Sequence, residues 1–156
     1  MSITKSNYTF NYTAISHTSI ITFSFEKGWN WYLGLVSIRD LVDNVELIED
    51  GGFETGTMYA YCVCDSSMQR TKPTNVVSDQ PGSNVCDVKT FFSAVQLAQS
   101  VNTIPGHNYS VSFWLRSQMA ASGNNVAVYM SSTSKIDVST LLRTTLIIIL
   151  VILYIL

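Results

Sequence analysis

Charge is scarce in this chain of 156 residues: 13% of positions are Asp, Glu, Lys or Arg, while 47% are hydrophobic. Nine basic and eleven acidic side chains leave a net charge of −2, which excludes the basic surface that nucleic acid requires. The hydrophobic share excludes a disordered charged tail. Two histidines and three cysteines leave little material for a metal cage. Catalytic signatures are missing as well: there is no Gly-x-Ser-x-Gly elbow, no Cys–His or paired-carboxylate pattern and no phosphate-cradling glycine loop. His17 and His107 both fall in expected turns. Residues 1–19 hold no apolar stretch of the signal-peptide kind, which predicts either a cytosolic protein or a true start upstream of Met1. No segment before residue 140 keeps a helical period.

What remains is the vocabulary of strands and turns, with Ser, Thr, Asn and Gly alternating with Val, Ile, Phe, Tyr and Trp. Residues 8–14 alternate polar and apolar, and after the turn Ser16-His17-Thr18 the pattern resumes over 19–25, with Ile21, Phe23 and Phe25 on one face. The two segments read as a hairpin. Further strands are expected at 31–38, 45–48, 58–64, 91–101, 109–115 and 126–130, separated by glycine- and proline-bearing turns. Residues 65–85 are polar, carry Pro73 and Pro81, and read as one long loop. Short strands at this spacing predict an all-β antiparallel sandwich or jelly roll of about one domain's length.

Several of these residues together resemble a known family. Glu46-Leu47-Ile48-Glu49-Asp50-Gly51-Gly52-Phe53-Glu54-Thr55-Gly56 resembles the opening of galactose-binding-like jelly rolls, the fold of many carbohydrate-binding modules. Leu97-Ala98-Gln99-Ser100-Val101, Ile104-Pro105-Gly106 and Tyr109-Ser110-Val111-Ser112-Phe113-Trp114-Leu115 resemble that fold's middle, and residues 126–132 the strand that follows. Its closing strands are resembled by Phe23-Ser24-Phe25 and by Trp31-Tyr32-Leu33-Gly34-Leu35-Val36-Ser37-Ile38, which lie ahead of the opening. The expected organisation is therefore a sandwich over 8–132, with 8–38 as closing strands and 45–132 as opening and middle, either permuted or cut from a tandem array. A cut would account for the absent signal peptide. A polar spacer over 133–140 and an apolar tail over 141–156 complete the chain. The resemblance implies a structural calcium held by the glutamate of Gly-Gly-Phe-Glu and by acids in the closing strand. Glu54 matches the first, whereas Gly34 and Leu35 stand where the acids belong, which weakens the site.

Sugar rings stack on flat aromatic faces flanked by hydrogen-bonding groups. Trp29, Trp31, Tyr32, Tyr59, Tyr61, Trp114 and Tyr129 offer such faces, and Trp31, Tyr59, Trp114 and Tyr129 are the expected ligand residues. Alternation sets Trp114 opposite Val111, Phe113 and Leu115, and Tyr129 opposite Val126, Val128 and Met130, so both rings are expected on an outer sheet face. A disulfide from Cys62 or Cys64 to Cys86 would close the 65–85 loop and add about 3 kcal/mol in the chain-entropy model. Asn7, Asn11 and Asn108 head N-x-Ser/Thr sequons. Residues 144–156 are uncharged and end the sequence, with small residues and a polar spacer before them. That layout fits a GPI-attachment signal or a short helical membrane anchor following Arg143. The sequence thus predicts non-catalytic recognition at the extracellular face of a membrane, of carbohydrate, with neighbouring modules as partners if the chain is a fragment. The alternative is a structural or protein-interaction segment of a larger tandem-repeat surface protein without a working ligand site.

Overall fold

The computed structural model describes residues 5–26, 30–57, 62–65, 74–80, 83–90, 94–117, 125–132 and 151–154. In β1 (Ser6–Thr13) alternation sets Tyr8, Phe10 and Tyr12 against the core while Asn7, Thr9, Asn11 and Thr13 stay exposed. β2 (Thr18–Phe25) is rich in β-branched and aromatic residues and buries Ile21, Phe23 and Phe25. β3 (Trp31–Asp40) buries Trp31, Leu33, Val36 and Ile38. The later strands are β4 (Cys62–Asp65), β5 (Thr74–Gln80), β6 (Ser83–Val88), β7 (Val95–Asn102), β8 (Asn108–Ser117), β9 (Asn125–Ser132) and β10 (Val151–Tyr154).

Among the described residues these strands form two five-stranded antiparallel sheets, ordered β1-β8-β3-β6-β5 and β10-β9-β2-β7-β4. They pack as a β-sandwich around one apolar core. Phe23 of the second sheet meets Phe113 of the first edge-on at 5.1 Å between centroids, and Tyr8 stacks on Phe113 at 5.5 Å. Strands from both parts of the chain interleave: β8 lies between β1 and β3, and β2 lies between β9 and β7.

Several expectations are corrected here. β1 and β2 do not form a hairpin. β1 pairs with β8 in one sheet and β2 with β7 and β9 in the other, so the link between them is a corner of the sandwich. Buried hydroxyls hold that corner. Thr103 Oγ1 donates to Ser16 O at 2.8 Å, which makes Ser19 Oγ the donor to Thr103 and Tyr12 OH the donor to Ser19, each at 3.0 Å. Residues 45–48 form no strand; Glu46 makes an isolated bridge to Arg39. The segment expected as one long loop contains β5 and the start of β6, antiparallel partners with Val76 opposite Cys86 and Val77 opposite Val85. Finally, the expected C-terminal helix is absent over Val151–Tyr154, which is strand β10 paired with β9. The rest of the tail, the spacer at 133–140 and Tyr59 lie outside the described residues. No helix among the described residues is long and apolar enough to cross a membrane.

Candidate functional site

The outer face of the first sheet carries an aromatic and charged patch. Because Trp31 and Leu33 point into the core, the intervening Tyr32 projects outward, and its register partners are Arg116 on β8 and Asp87 on β6. The Arg116 guanidinium lies 4.5 Å from the Tyr32 ring centroid, and both side chains are half-buried. The next outward pair is Gly34 and Trp114. A Cβ at Gly34 would come within 2.6 Å of Cε2 and Cζ2 of Trp114, so the glycine lets the indole lie across β3. Above the indole, Lys5 Nζ sits 4.0 Å from the ring centroid. Beyond Gly34 the register with β8 slips, and Leu35 there is 59% exposed with φ of 48°.

Trp114 Nε1, a donor, and Asp87 Oδ1, an acceptor, are buried on this face without a hydrogen-bond partner among the described residues. Burial raises the pKa of Asp87; the Lys89 ammonium, 3.9 Å from Oδ2, pulls the other way without cancelling it. An unpartnered buried polar atom costs about 1–3 kcal/mol, so the pair marks a face whose hydrogen bonding the described residues leave incomplete.

The expected aromatic platform is not assembled. Trp114 does project from the outer face but is only 1% exposed, because Lys5 covers one side and β3 the other. Trp31 is a core residue tilted against Phe25 at 6.3 Å. Tyr129 is half-buried on β9 of the other sheet, opposite Thr22, so it cannot share a surface with Trp114. Tyr32 is one of the candidate rings though not one of the expected ligand residues, and Arg116 and Asp87 carry no site signal in the sequence. Tyr32 was findable, since its neighbours alternate inward, whereas the meeting of Arg116 and Asp87 across β3 follows only from strand order.

The calcium implied by the resemblance does not fit the loop that would hold it. Glu54 is exposed and its Oε1 packs over Gly52. Three of the loop's carbonyls are already engaged: Asp50 O accepts from Phe53 N, Gly51 O from Val36 N, and Phe53 O from Gly56 N and Asn84 Nδ2. Asp50 turns its carboxylate to the Thr55 amide and hydroxyl, at 3.0 and 2.5 Å. Those bonds, with others from Glu54, hold its pKa low against the desolvation that raises it. Among the described residues no shell of six to eight unengaged oxygens gathers around Glu54.

Cys86 is a free thiol in the core, so the expected bridge from Cys62 or Cys64 is not made. The strand register explains the separation. Cys62 and Cys64 belong to β4, which pairs with β7 in the second sheet, whereas Cys86 belongs to β6 in the first. Burial pushes the Cys86 pKa up to about 12, with the Asp87 charge adding to it.

Asn7 and Asn11 are exposed on β1 in one row with Thr9 and Thr13, and Asn108 is exposed at the start of β8, where its Oδ1 accepts from Thr13 Oγ1 at 2.6 Å. All three sequon asparagines therefore lie along β1 and β8 of the same sheet.

A second cluster lies at the end of the sandwich. His107 Nδ1 is 2.8 Å from Asp40 Oδ2 and 3.9 Å from Asp43 Oδ2. Three residues of this kind within 4.8 Å have the makings of a metal site. Asp40, however, is saturated by the protein: Oδ1 accepts the amides of Val42 at 2.8 Å and Asp43 at 3.2 Å, and the Tyr109 hydroxyl donates to the same carboxylate. Desolvation raises the Asp40 pKa, but the bonds from His107, the two amides and Tyr109 outweigh it and bring the value to about 2. The cluster is a clasp between β3 and the β7–β8 loop.

No family model, curated protein or solved structure matches the chain.

Proposed function

We propose that the protein is a non-catalytic recognition module of the galactose-binding-like jelly-roll kind, binding carbohydrate on the outer face of its first sheet. The observation that carries this reading is the pair of buried polar atoms unpartnered among the described residues, Trp114 Nε1 and Asp87 Oδ1, flanking the half-exposed Tyr32 ring. A pyranose offers a flat apolar face to an aromatic ring and hydroxyls that both donate and accept. Movement of the exposed Lys5 from the indole would open Trp114 to such a ligand. The resemblance of residues 46–56 and 97–115 to carbohydrate-binding modules supports the same reading. The exposed sequons support a place at the extracellular face of a membrane.

Affinity electrophoresis of the full chain through native gels containing soluble β-glucan, galactan or xylan tests this. At least one polysaccharide should retard the wild type, and Tyr32→Ala should run unretarded in that gel. One observation favours the alternative, a structural or protein-interaction segment of a tandem-repeat surface protein: the chain itself covers Trp114 on both sides. Free migration in every gel by a folded wild type would decide for that alternative.

A further inference from the structure

Lys5, Arg116, Tyr32 and Trp114 stand together on the outer face of the first sheet. Ser6 lies opposite Leu115 and Asn7 opposite Trp114, so the same register continued sets Lys5, just ahead of β1, beside Arg116. Arg116 in turn pairs with Tyr32 on β3, and its guanidinium lies 4.5 Å from that ring's centroid. Gly34 is the next outward position on β3, and a Cβ there would come within 2.8 Å of Trp114 Nε1. The indole donor therefore lies one outward step from Tyr32. It is buried and has no hydrogen-bond partner among the described residues. Ammonium, guanidinium and indole donors thus gather over two adjacent rows. Among the described charged side chains placed in these rows, Lys5, Arg116 and Lys89 are basic and Asp87 is acidic, in a chain whose net charge is −2.

We propose, on the footing of the carbohydrate reading above, that the sugar this face takes is an acidic one, its carboxylate held by Lys5, Arg116 and the Trp114 indole N–H. The cover over Trp114 selects the charge. Lys5 Nζ lies 4.0 Å from the indole centroid, and a sugar ring that stacks there must displace it. A neutral sugar ends that cation–π contact and offers the ammonium only hydroxyls in exchange. A uronate or a sialic acid replaces it with a charge-assisted pair. One swing of the exposed lysine then uncovers the ring and meets the ligand's charge. Arg116 suits the second carboxylate oxygen, since a guanidinium resting on an aromatic ring carries its N–H groups in its own plane. The indole N–H only donates, and a carboxylate only accepts. Asp87 lies across Tyr32 on β6, where Lys89, 3.9 Å from its Oδ2, offsets its repulsion of an anion. Its buried Oδ1 is placed to accept from a sugar hydroxyl.

Isothermal titration calorimetry of the full chain tests this with oligosaccharides of galacturonate, glucuronate, mannuronate and sialic acid, each beside its methyl ester. At least one acid should bind, and its ester, alike in shape but uncharged, about tenfold more weakly. Higher ionic strength should narrow that gap. Lys5→Gln should bind acid and ester alike, and Lys5→Arg should restore the preference. Lys5 is exposed, so both variants should melt like the wild type. Dextran sulfate, an anion on a neutral glucose backbone, should bind more weakly than the best acid. Binding of no acid, equal binding of every acid and its ester, or a preference that Lys5→Gln keeps would overturn the proposal. Dextran sulfate binding as tightly as the best acid would overturn it too, by reducing the site to one for anions at large. The carbohydrate reading then stands or falls separately, on the gels of neutral polysaccharide.

Discussion

Gly34 is where sequence resemblance and structure diverge most instructively. The resemblance leads one to expect a calcium-binding acid at this position; here it makes room for an indole. Because the Trp114 ring would meet a Cβ at 2.6 Å, Gly34→Ala should destabilise the fold by about 1–3 kcal/mol, measured by urea denaturation. Asp40 gives a prediction with a definite sign. Its folded pKa of about 2 lies below the ordinary 3.8, so its contribution to stability is complete above pH 3.8 and is lost as pH falls toward 2. Thermal melts between pH 5 and pH 2 should show that loss in the wild type and a smaller one in Asp40→Asn, whose melting temperature should already be lower at pH 5. Cys86, held protonated and buried, should resist iodoacetamide at pH 8 in the folded protein and react after denaturation, as peptide mapping would show.

At the scale of elements, β3 carries a conformational anomaly. Leu35 is exposed and left-handed at φ 48°, a geometry that costs a branched residue roughly 1–2 kcal/mol. Leu35→Gly should therefore raise stability by about 1 kcal/mol in the same urea titration. Much of the strand inventory was legible because alternation survives in single strands: the expected segments at 8–14, 19–25, 31–38, 109–115 and 126–130 all overlap observed strands. Pairing was less legible. The β1–β2 turn looks local, but Ala14 bonds to His107 and Thr103 to Ser16, so distant residues decide that the chain crosses between sheets. β5 and β6 were hidden by polar residues and prolines, which suit an edge hairpin as well as a loop. β10 lies in a run apolar on both faces, which suits a membrane-directed helix as well as a strand in the sequence alone.

For the whole molecule, the two sheets depend on each other through rings such as Phe23 and Phe113, and Phe23→Ala should cost about 3–5 kcal/mol. The candidate site was only partly legible in the sequence. Outward projection of Trp114 follows from alternation, but its burial depends on Lys5 and Gly34, which are remote in the chain. Asp87 reaches the Tyr32 row only because β6 is the neighbour of β3. The account's central claim, that this face meets carbohydrate, is tested most directly by the indole N–H resonance of Trp114. In a ¹⁵N-correlated spectrum, with assignment by Trp114→Phe, titration with oligosaccharides of a polysaccharide that retards the protein should shift this resonance saturably, because its donor has no partner among the described residues. An unchanged Trp114 resonance at saturating oligosaccharide, with shifts elsewhere or none, would contradict the account.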